Sequence, residues 1–376
     1  MISKLFSPLT LGGKNPIQLQ HRIAMAPLTR LRAGDSAVPP AFVAEYYAQR
    51  ATPGGLIIVE ATDVSLSARG FFGAPGIFNQ EQIDAWKVVT EAVHAKGGII
   101  FLQIWHTGRY SHPSLQPENV QPISSSSNMP LDDTRVVPTQ DGPKPLEIPR
   151  ALETDEIPLI VEDFSKAADN AIAAGFDGVE IHAANGLLLE QFLFDGINER
   201  VDKYGGSIEN RSRIVFEILD AILETIDSSK VGVRFSPFNI TCTQRDSDPA
   251  THYKYIFEKL NEYDLAYAHV IEPRVPHYPN EMAPEEGATA YFRKIYKGVL
   301  VTASGYDRQS ALDTVEACHA DIVAIGRYFI SNPDLVKRFK LGAPLAAWND
   351  STFYTPGEAG CTDYPFLDEE EIKSAP

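Results

Sequence analysis

Only three of the 376 residues are cysteine, and Cys242, Cys318 and Cys361 stand far apart, in no metal-ligand spacing. Three scattered thiols argue against a disulfide framework or a thiolate metal centre, and read as reduced groups in a cytosolic protein. Cations are scarce too: 33 Lys and Arg against 50 Asp and Glu leave a net charge of −17. No Lys/Arg cluster breaks that balance, so nucleic acid and anionic membranes are disfavoured as partners. No apolar run is long enough to cross a bilayer, and Met1-Ile2-Ser3-Lys4 leads into polar sequence rather than a signal peptide. G-x-G-x-x-G turns, a Walker A loop and a G-x-S-x-G elbow are all missing. His106 and His182 have no third ligand at a recognisable spacing, so no metal is expected.

What is present is a repeating alternation. A hydrophobic content of 44% and a charged content of 22% are ordinary for a globular protein with a substantial core. Short apolar runs at Ile23–Ala26, Gly55–Val59, Ile99–Ile104, Gly178–Ile181, Val231–Phe235, Tyr267–Ile271, Val299–Ala303 and Asp321–Ile325 read as buried parallel strands. Amphipathic segments lie between them, among them Asn79–Ala95, Asp155–Ala174, Ser207–Ile226, Ala250–Tyr263, Arg308–Ala317 and Asn332–Lys340. Thr154 followed by Asp155-Glu156 reads as the start signal of the second of these. The pattern predicts an α/β protein, a closed TIM (β/α)8 barrel in a single domain over 1–376. A doubly wound open sheet is the alternative, weakened by the missing glycine fingerprint. Residues 1–20, with turn chemistry at Gly12-Gly13-Lys14-Asn15-Pro16, predict an N-terminal hairpin that plugs the barrel bottom. Residues 107–153, rich in Pro and Ser, predict a long insertion after strand three that covers the catalytic face. Residues 367–376 read as an acidic, solvated tail.

In such a barrel the carboxyl ends of the strands hold the chemistry. His182 and Asn185 fall at the end of strand four, three apart, where two donors can grip one substrate oxygen; a locally satisfied histidine beside a turn asparagine is the plainer alternative. Ser304-Gly305 and Gly326-Arg327, after strands seven and eight, suit a phosphate bound through backbone N–H groups. Gln103, Arg234 and Thr29 supply an amide, a guanidinium and a hydroxyl around the same mouth. They suit a planar heterocycle with ring carbonyls and nitrogens, and Arg234 could balance a negative charge developing on it.

The sequence blocks Ala26-Pro27-Leu28-Thr29-Arg30, Gln103-Ile104-Trp105, His182-Ala183-Ala184-Asn185-Gly186, Tyr204-Gly205-Gly206-Ser207-Ile208-Glu209-Asn210-Arg211, Arg234 and Gly326-Arg327-Tyr328-Phe329-Ile330-Ser331-Asn332-Pro333-Asp334 occur in this order. Together they resemble the old yellow enzyme family, from about residue 5 to Phe366, and look closest to its fungal members. The resemblance implies an FMN barrel that takes hydride from NADPH or NADH and delivers it to an alkene conjugated to an electron-withdrawing group. It implies that Thr29 bonds the flavin near its N5/O4 edge, that Pro27, Leu28 and Ala61 line it, and that Gln103 and Arg234 bind its pyrimidine side. Ser304, Gly305, Tyr306, Gly326 and Arg327 would hold the phosphate, although the family motif usually has Gly where Ser304 stands. His182 and Asn185 would donate to the substrate carbonyl, with Trp105, Phe71 and Tyr354 shaping the pocket.

One position departs from the family pattern. Two residues after Asn185, where the family usually carries a proton-donating tyrosine, stands Leu187, which has no proton to give. Either solvent or another acid replaces it, or the enzyme belongs to a secondary-metabolite pathway and works as an isomerase, cyclase or desaturase without net alkene reduction. A small-molecule substrate and a monomer or homodimer are the expected partners.

Overall fold

A computed structural model describes residues 3–129, 135–239, 245–273 and 281–368. Eight parallel strands close into a barrel: β1 (Ile23–Met25), β2 (Leu56–Asp63), β3 (Ile99–Trp105), β4 (Gly178–Ala183), β5 (Val231–Phe235), β6 (Tyr267–Ile271), β7 (Leu300–Ala303) and β8 (Ile322–Ile325). Closure comes from β8 pairing β1, with Ile325 opposite Met25. Helices α1 (Phe42–Arg50), α2 (Gln80–His94), α3 (Ile157–Ala173), α4 (Ile208–Leu223), α5 (Pro249–Leu260), α6 (Ala288–Arg293), α7 (Arg308–Glu316) and α8 (Leu335–Leu341) each follow one strand. Every residue of β2 is buried, as a parallel strand covered on both faces requires.

Local chemistry sets the helix ends. Asn79 caps α2 in a reciprocal box with Gln82, and Asp248 caps α5 with Pro249 in its first turn. Thr154 does not start α3: its hydroxyl bonds Asp202 at 2.5 Å, and the helix begins at Ile157-Pro158 after Glu156. The helix read over Asn332–Lys340 also starts later than its segment, at Leu335. A short helix, Arg327–Ser331, ends before Pro333.

Two strands run further than their apolar runs suggest. β4 continues to Ala183, so His182 lies inside the ladder, opposite Arg234 of β5. β2 continues to Asp63 through a register shift between Val59 and Thr62.

At the N-terminal end, Leu9–Thr10 and Gln18–Leu19 form an antiparallel hairpin. Its Leu11 and Leu19 pack with Ala24, Ile58, Phe101 and Tyr267. Between β3 and α3, Ile123–Ser124 pairs with Arg150–Ala151, and Val136–Thr139 forms a hairpin with Gly142–Pro145. The Phe72 N–H donates to the Pro138 carbonyl at 2.9 Å and ties that hairpin to the loop after β2. Arginines fasten the C-terminal stretch. Arg30 donates to the carbonyls of Phe353 and Gly360, Arg32 to Thr352, Gly357 and Ala359, and Arg50 to Cys361. Cys318 and Cys361 are free thiols, whereas Cys242 and the tail from residue 369 lie outside the described residues.

Candidate active site

Two cavities open at the carboxyl ends of the strands. One, of about 430 Å³, is walled by Leu28, Ser304, Gly305, Tyr306, Gly326 and Arg327. The other, of about 470 Å³, is walled by Thr29, Phe71, Gln103, Trp105, His182, Leu187 and Tyr354. Pro27, Asn185 and Arg234 belong to both walls, so the two spaces adjoin. Every sequence-derived candidate except Ala61 lines one or the other. Ala61 sits beside the β2 register shift and packs in a buried cluster with Trp105 and Leu187 instead.

The first cavity has the character of an anion site. Ser304 and Gly305 both adopt positive φ, 92° and 71°, which turns the chain sharply after β7. A Cβ on Gly326 would come within 3.1 Å of the Leu28 side chain, so the backbone comes close there. The exposed Arg327 lies with its guanidinium 5.1 Å over the Trp348 ring. Tyr306 is anchored by its hydroxyl, 3.0 Å from that of Thr302.

Where the cavities meet, the barrel floor is polar and fully enclosed. Gln103 Nε2 donates to Glu180 Oε1 at 2.7 Å, and His269 Nδ1 lies 2.8 Å from Glu180 Oε2. Burial alone would raise the Glu180 carboxyl; the His269 ring, Arg234 and Gln103 outweigh it and hold the group below the usual range. An ionised Glu180 fixes the Gln103 amide by its NH₂ and leaves the amide carbonyl to accept from a ligand. Arg234 is buried, and its Nε has no hydrogen-bond partner in the protein. A guanidinium with an unused, desolvated N–H is incomplete without an acceptor in the cavity.

His182 and Asn185 converge at the same junction. Burial, with Arg234 and His269 nearby, lowers the His182 pKa well below the usual range, so the ring is neutral at pH 7. Its Nδ1 is buried with no partner. Nδ1 is unpartnered in either tautomer, and a proton on Nε2 presents a donor to the cavity that His182 lines. Nε2 lies 3.5 Å from the Asn185 Nδ2; with the ring proton on Nε2 both nitrogens are donors and can converge on one acceptor. Asn185 is held in the left-handed conformation (φ 58°), followed by Gly186 at 77°. Its backbone N–H donates to Ser236 Oγ at 2.9 Å, Ser236 Oγ donates to Glu190, and the Gly186 N–H reaches Glu190 at 2.5 Å. Burial raises the Glu190 carboxyl to about 8. These supporting residues carry no recognisable sequence motif.

The rest of the second cavity is apolar. Phe71, Trp105 and His182 form a stack, with ring centroids 5.5 Å and 6.1 Å apart and interplanar angles of 28° and 13°. Leu31, Val136, Pro138 and Pro143 complete the wall; the last three lie in the 107–153 insertion, whereas Leu31 gave no signal in the sequence. Leu187 is buried on this wall, and Tyr354, 63% exposed, stands at the mouth.

A barrel with an anion cradle, an enclosed cation and a paired-donor pocket defines a flavoenzyme of the oxidoreductase class. The comparisons identify its family. Residues 4–346 match the model of the NADH:flavin oxidoreductase / NADH oxidase family. The chain is 46% identical to rice (Oryza sativa subsp. japonica) 12-oxophytodienoate reductase 1, over 98% of this chain and 95% of that protein. Solved morphinone reductase is 45% identical and superposes with a TM-score of 0.92, covering 98% of each chain. The old yellow enzyme homologue from Zymomonas mobilis is 39% identical with a TM-score of 0.90, over 96% of this chain and 99% of that one. The chain belongs to the old yellow enzyme family and is an FMN-dependent NAD(P)H oxidoreductase. Among the described residues, no helix is long and apolar enough to cross a membrane, and no cluster of side chains suits a metal ion.

Proposed function

We propose that the protein reduces the alkene of an α,β-unsaturated carbonyl compound whose body is apolar. FMN supplies the two-electron carrier that accepts hydride from NAD(P)H and passes it to the substrate. The observation that carries the reading is the His182 Nε2 and Asn185 Nδ2 pair, two nitrogens 3.5 Å apart that can both donate to one atom at the junction of the cavities. A substrate carbonyl oxygen placed between them accepts from both, and the neutral imidazole polarises it without being titrated. The relatives' names support the substrate class, since 12-oxophytodienoate carries both an oxo group and a diene.

The remaining residues divide the work by place. Ser304, Gly305, Tyr306, Gly326 and Arg327 would hold the FMN phosphate. Pro27, Leu28 and Thr29 would line the flavin ring, and Gln103, through its free amide carbonyl, and Arg234, through its unpartnered N–H and its charge, would bind the polar part of that ring. Ala61 supports this wall from behind through Trp105. Leu187 cannot supply the α-carbon proton, so solvent or another acid would have to supply it. The departure at Leu187 also supports a second reading, isomerisation, cyclisation or desaturation without net alkene reduction.

Product analysis with a small set of cyclic enones, with and without NADPH, separates the two readings: saturated product only with NADPH supports the first. His182→Ala with Asn185→Ala should abolish the long-wavelength band that a bound phenol gives. It should also cut the enone rate by about a hundred- to a thousandfold. A double variant that binds phenol and reduces enones normally places the substrate oxygen elsewhere.

A further inference from the structure

The middle ring of the Phe71–Trp105–His182 stack is held by a residue to which the chemistry so far gives no part. Asp63 ends β2 and is fully buried. Its Oδ1 accepts from the Trp105 indole N–H at 2.7 Å. Its Oδ2 is buried with no partner. The two residues are directly opposite in the β2–β3 ladder, in the register set by the shift between Val59 and Thr62. The Asp63 backbone is spent elsewhere: its N–H reaches the Pro75 carbonyl, and its carbonyl accepts from Ile77. The side chain is therefore free to serve Trp105 alone.

A buried carboxyl with an idle oxygen is a poor purely structural device. An apolar side chain of similar volume would fill the site without the desolvation cost. Burial pushes the group up to about 7, against the Trp105 bond and Arg69. What the carboxyl adds is direction. An indole packed only by apolar contacts can rotate about its Cβ–Cγ bond, whereas one tied by its N–H has a single orientation. That orientation lays the indole nearly parallel to the His182 ring, and both rings line the substrate pocket.

We propose that Asp63 is a positioning residue, which fixes the Trp105 indole and thereby sets the angle at which an apolar, carbonyl-bearing ring lies against His182 and Asn185. The inference rests on the substrate-oxygen reading above. Because the indole lines the second cavity and not the phosphate cradle, Asp63 governs substrate affinity and facial selectivity, and leaves FMN retention and reduction by NADPH alone.

The test compares Asp63→Leu, Asp63→Asn and Trp105→Phe in the FMN-loaded enzyme. Asp63→Leu should raise the phenol Kd and the KM for a cyclic enone about fivefold or more, the effect of losing one hydrogen bond that orders a binding surface. The enantiomeric excess with a 2- or 3-substituted cyclohexenone should fall, while kcat, FMN content and the rate of reduction by NADPH stay within about twofold. Asp63→Asn keeps a carbonyl acceptor and should restore both constants to within about twofold. In a Trp105→Phe background, Asp63→Leu should have no further effect. Should Asp63→Leu fail to fold, Asp63→Ala makes the same comparison. Wild-type affinity and selectivity in the leucine variant would overturn the proposal. So would an asparagine variant as impaired as the leucine one, or an undiminished effect in the Trp105→Phe background. Failure of the wild type to bind phenol would instead sink the flavin-site reading, and this proposal with it.

Discussion

His182 and Arg234 face each other across the β4–β5 ladder, and each keeps one buried nitrogen, Nδ1 and Nε respectively, without a partner in the protein. Unmet polar groups are rare in a well-packed barrel, and two in register mark the floor of the ligand space. The histidine is neutral and the arginine charged, so one neighbour suits a substrate oxygen and the other an electron-rich ring.

Arg234→Ala should therefore separate cofactor behaviour from substrate behaviour. Removal of the cation takes away a group that, after His269, holds the buried Glu180 carboxyl low. The variant should lose FMN on dilution or gel filtration, and bound FMN should be reduced by NADPH at least about tenfold more slowly. Arg234→Lys should recover part of the rate, because it restores charge without the forked donor geometry. Unchanged flavin content and reduction rate in Arg234→Ala would remove the arginine from the flavin site.

Ser304 occupies a backbone conformation that glycine adopts without cost, with φ at 92°. Ser304→Gly should raise the unfolding free energy by about 1 kcal/mol through release of that strain. FMN should remain bound if the backbone alone holds the phosphate. A stabilised protein that sheds FMN would show that the serine hydroxyl is a phosphate ligand.

Leu187→Tyr tests the missing acid. Stopped-flow measurement should find NADPH-to-flavin transfer unaltered, and oxidation of the reduced enzyme by cyclohexenone faster by about tenfold or more. Quinones, whose reduced oxygens take protons from solvent, should respond less. A wild type that already reduces cyclohexenone briskly, with no gain from the tyrosine, leaves Leu187 as pocket shape only.

Glu190 gives a pH prediction for stability. Its folded carboxyl is raised to about 8 from the usual 4.5, so between those values the folded protein holds a proton that the unfolded chain releases. Stability must then fall as pH rises through that window and level off above it. Glu190→Gln mimics the protonated form and should flatten this dependence. Thermal melts of the holoenzyme should gain most at pH 8 to 9 and almost nothing near pH 5. A uniform loss at every pH would mean that the carboxylate form is the native one.

Much of the barrel could be read from the chain because parallel strands are continuous apolar runs, and because the barrel rule directs attention to their carboxyl ends. That is why Gln103, His182, Arg234 and Ser304 could be named before any coordinates. The supporting groups were hidden for equally physical reasons. Asp63 and Glu190 act through contacts between distant strands and loops, which leave no spacing pattern. Arg30 and Arg32 bind backbone carbonyls, so their partners have no distinctive side chains. Thr154 misled because a hydroxyl before two acids looks like a cap, yet a tertiary partner, Asp202, claimed it. Val136, Pro138 and Pro143 lay in a segment whose hairpin register depends on contact with the loop after β2.

The arginine ties of Arg30 and Arg32 impose an order on biosynthesis. Arg30 follows β1, yet its Nε bonds the carbonyl of Phe353, 323 positions later. Tyr354, at the pocket mouth, adjoins that anchored carbonyl. A ribosome delivers the first half of the site long before the last wall. A nascent chain stalled after β6 has the paired donors of β4 but neither the Ser304–Gly305 turn nor the Tyr354 gatepost. Cofactor capture is thus a late event in the life of each new molecule, and the emerging barrel must keep its open seam from foreign strands until β8 closes on β1.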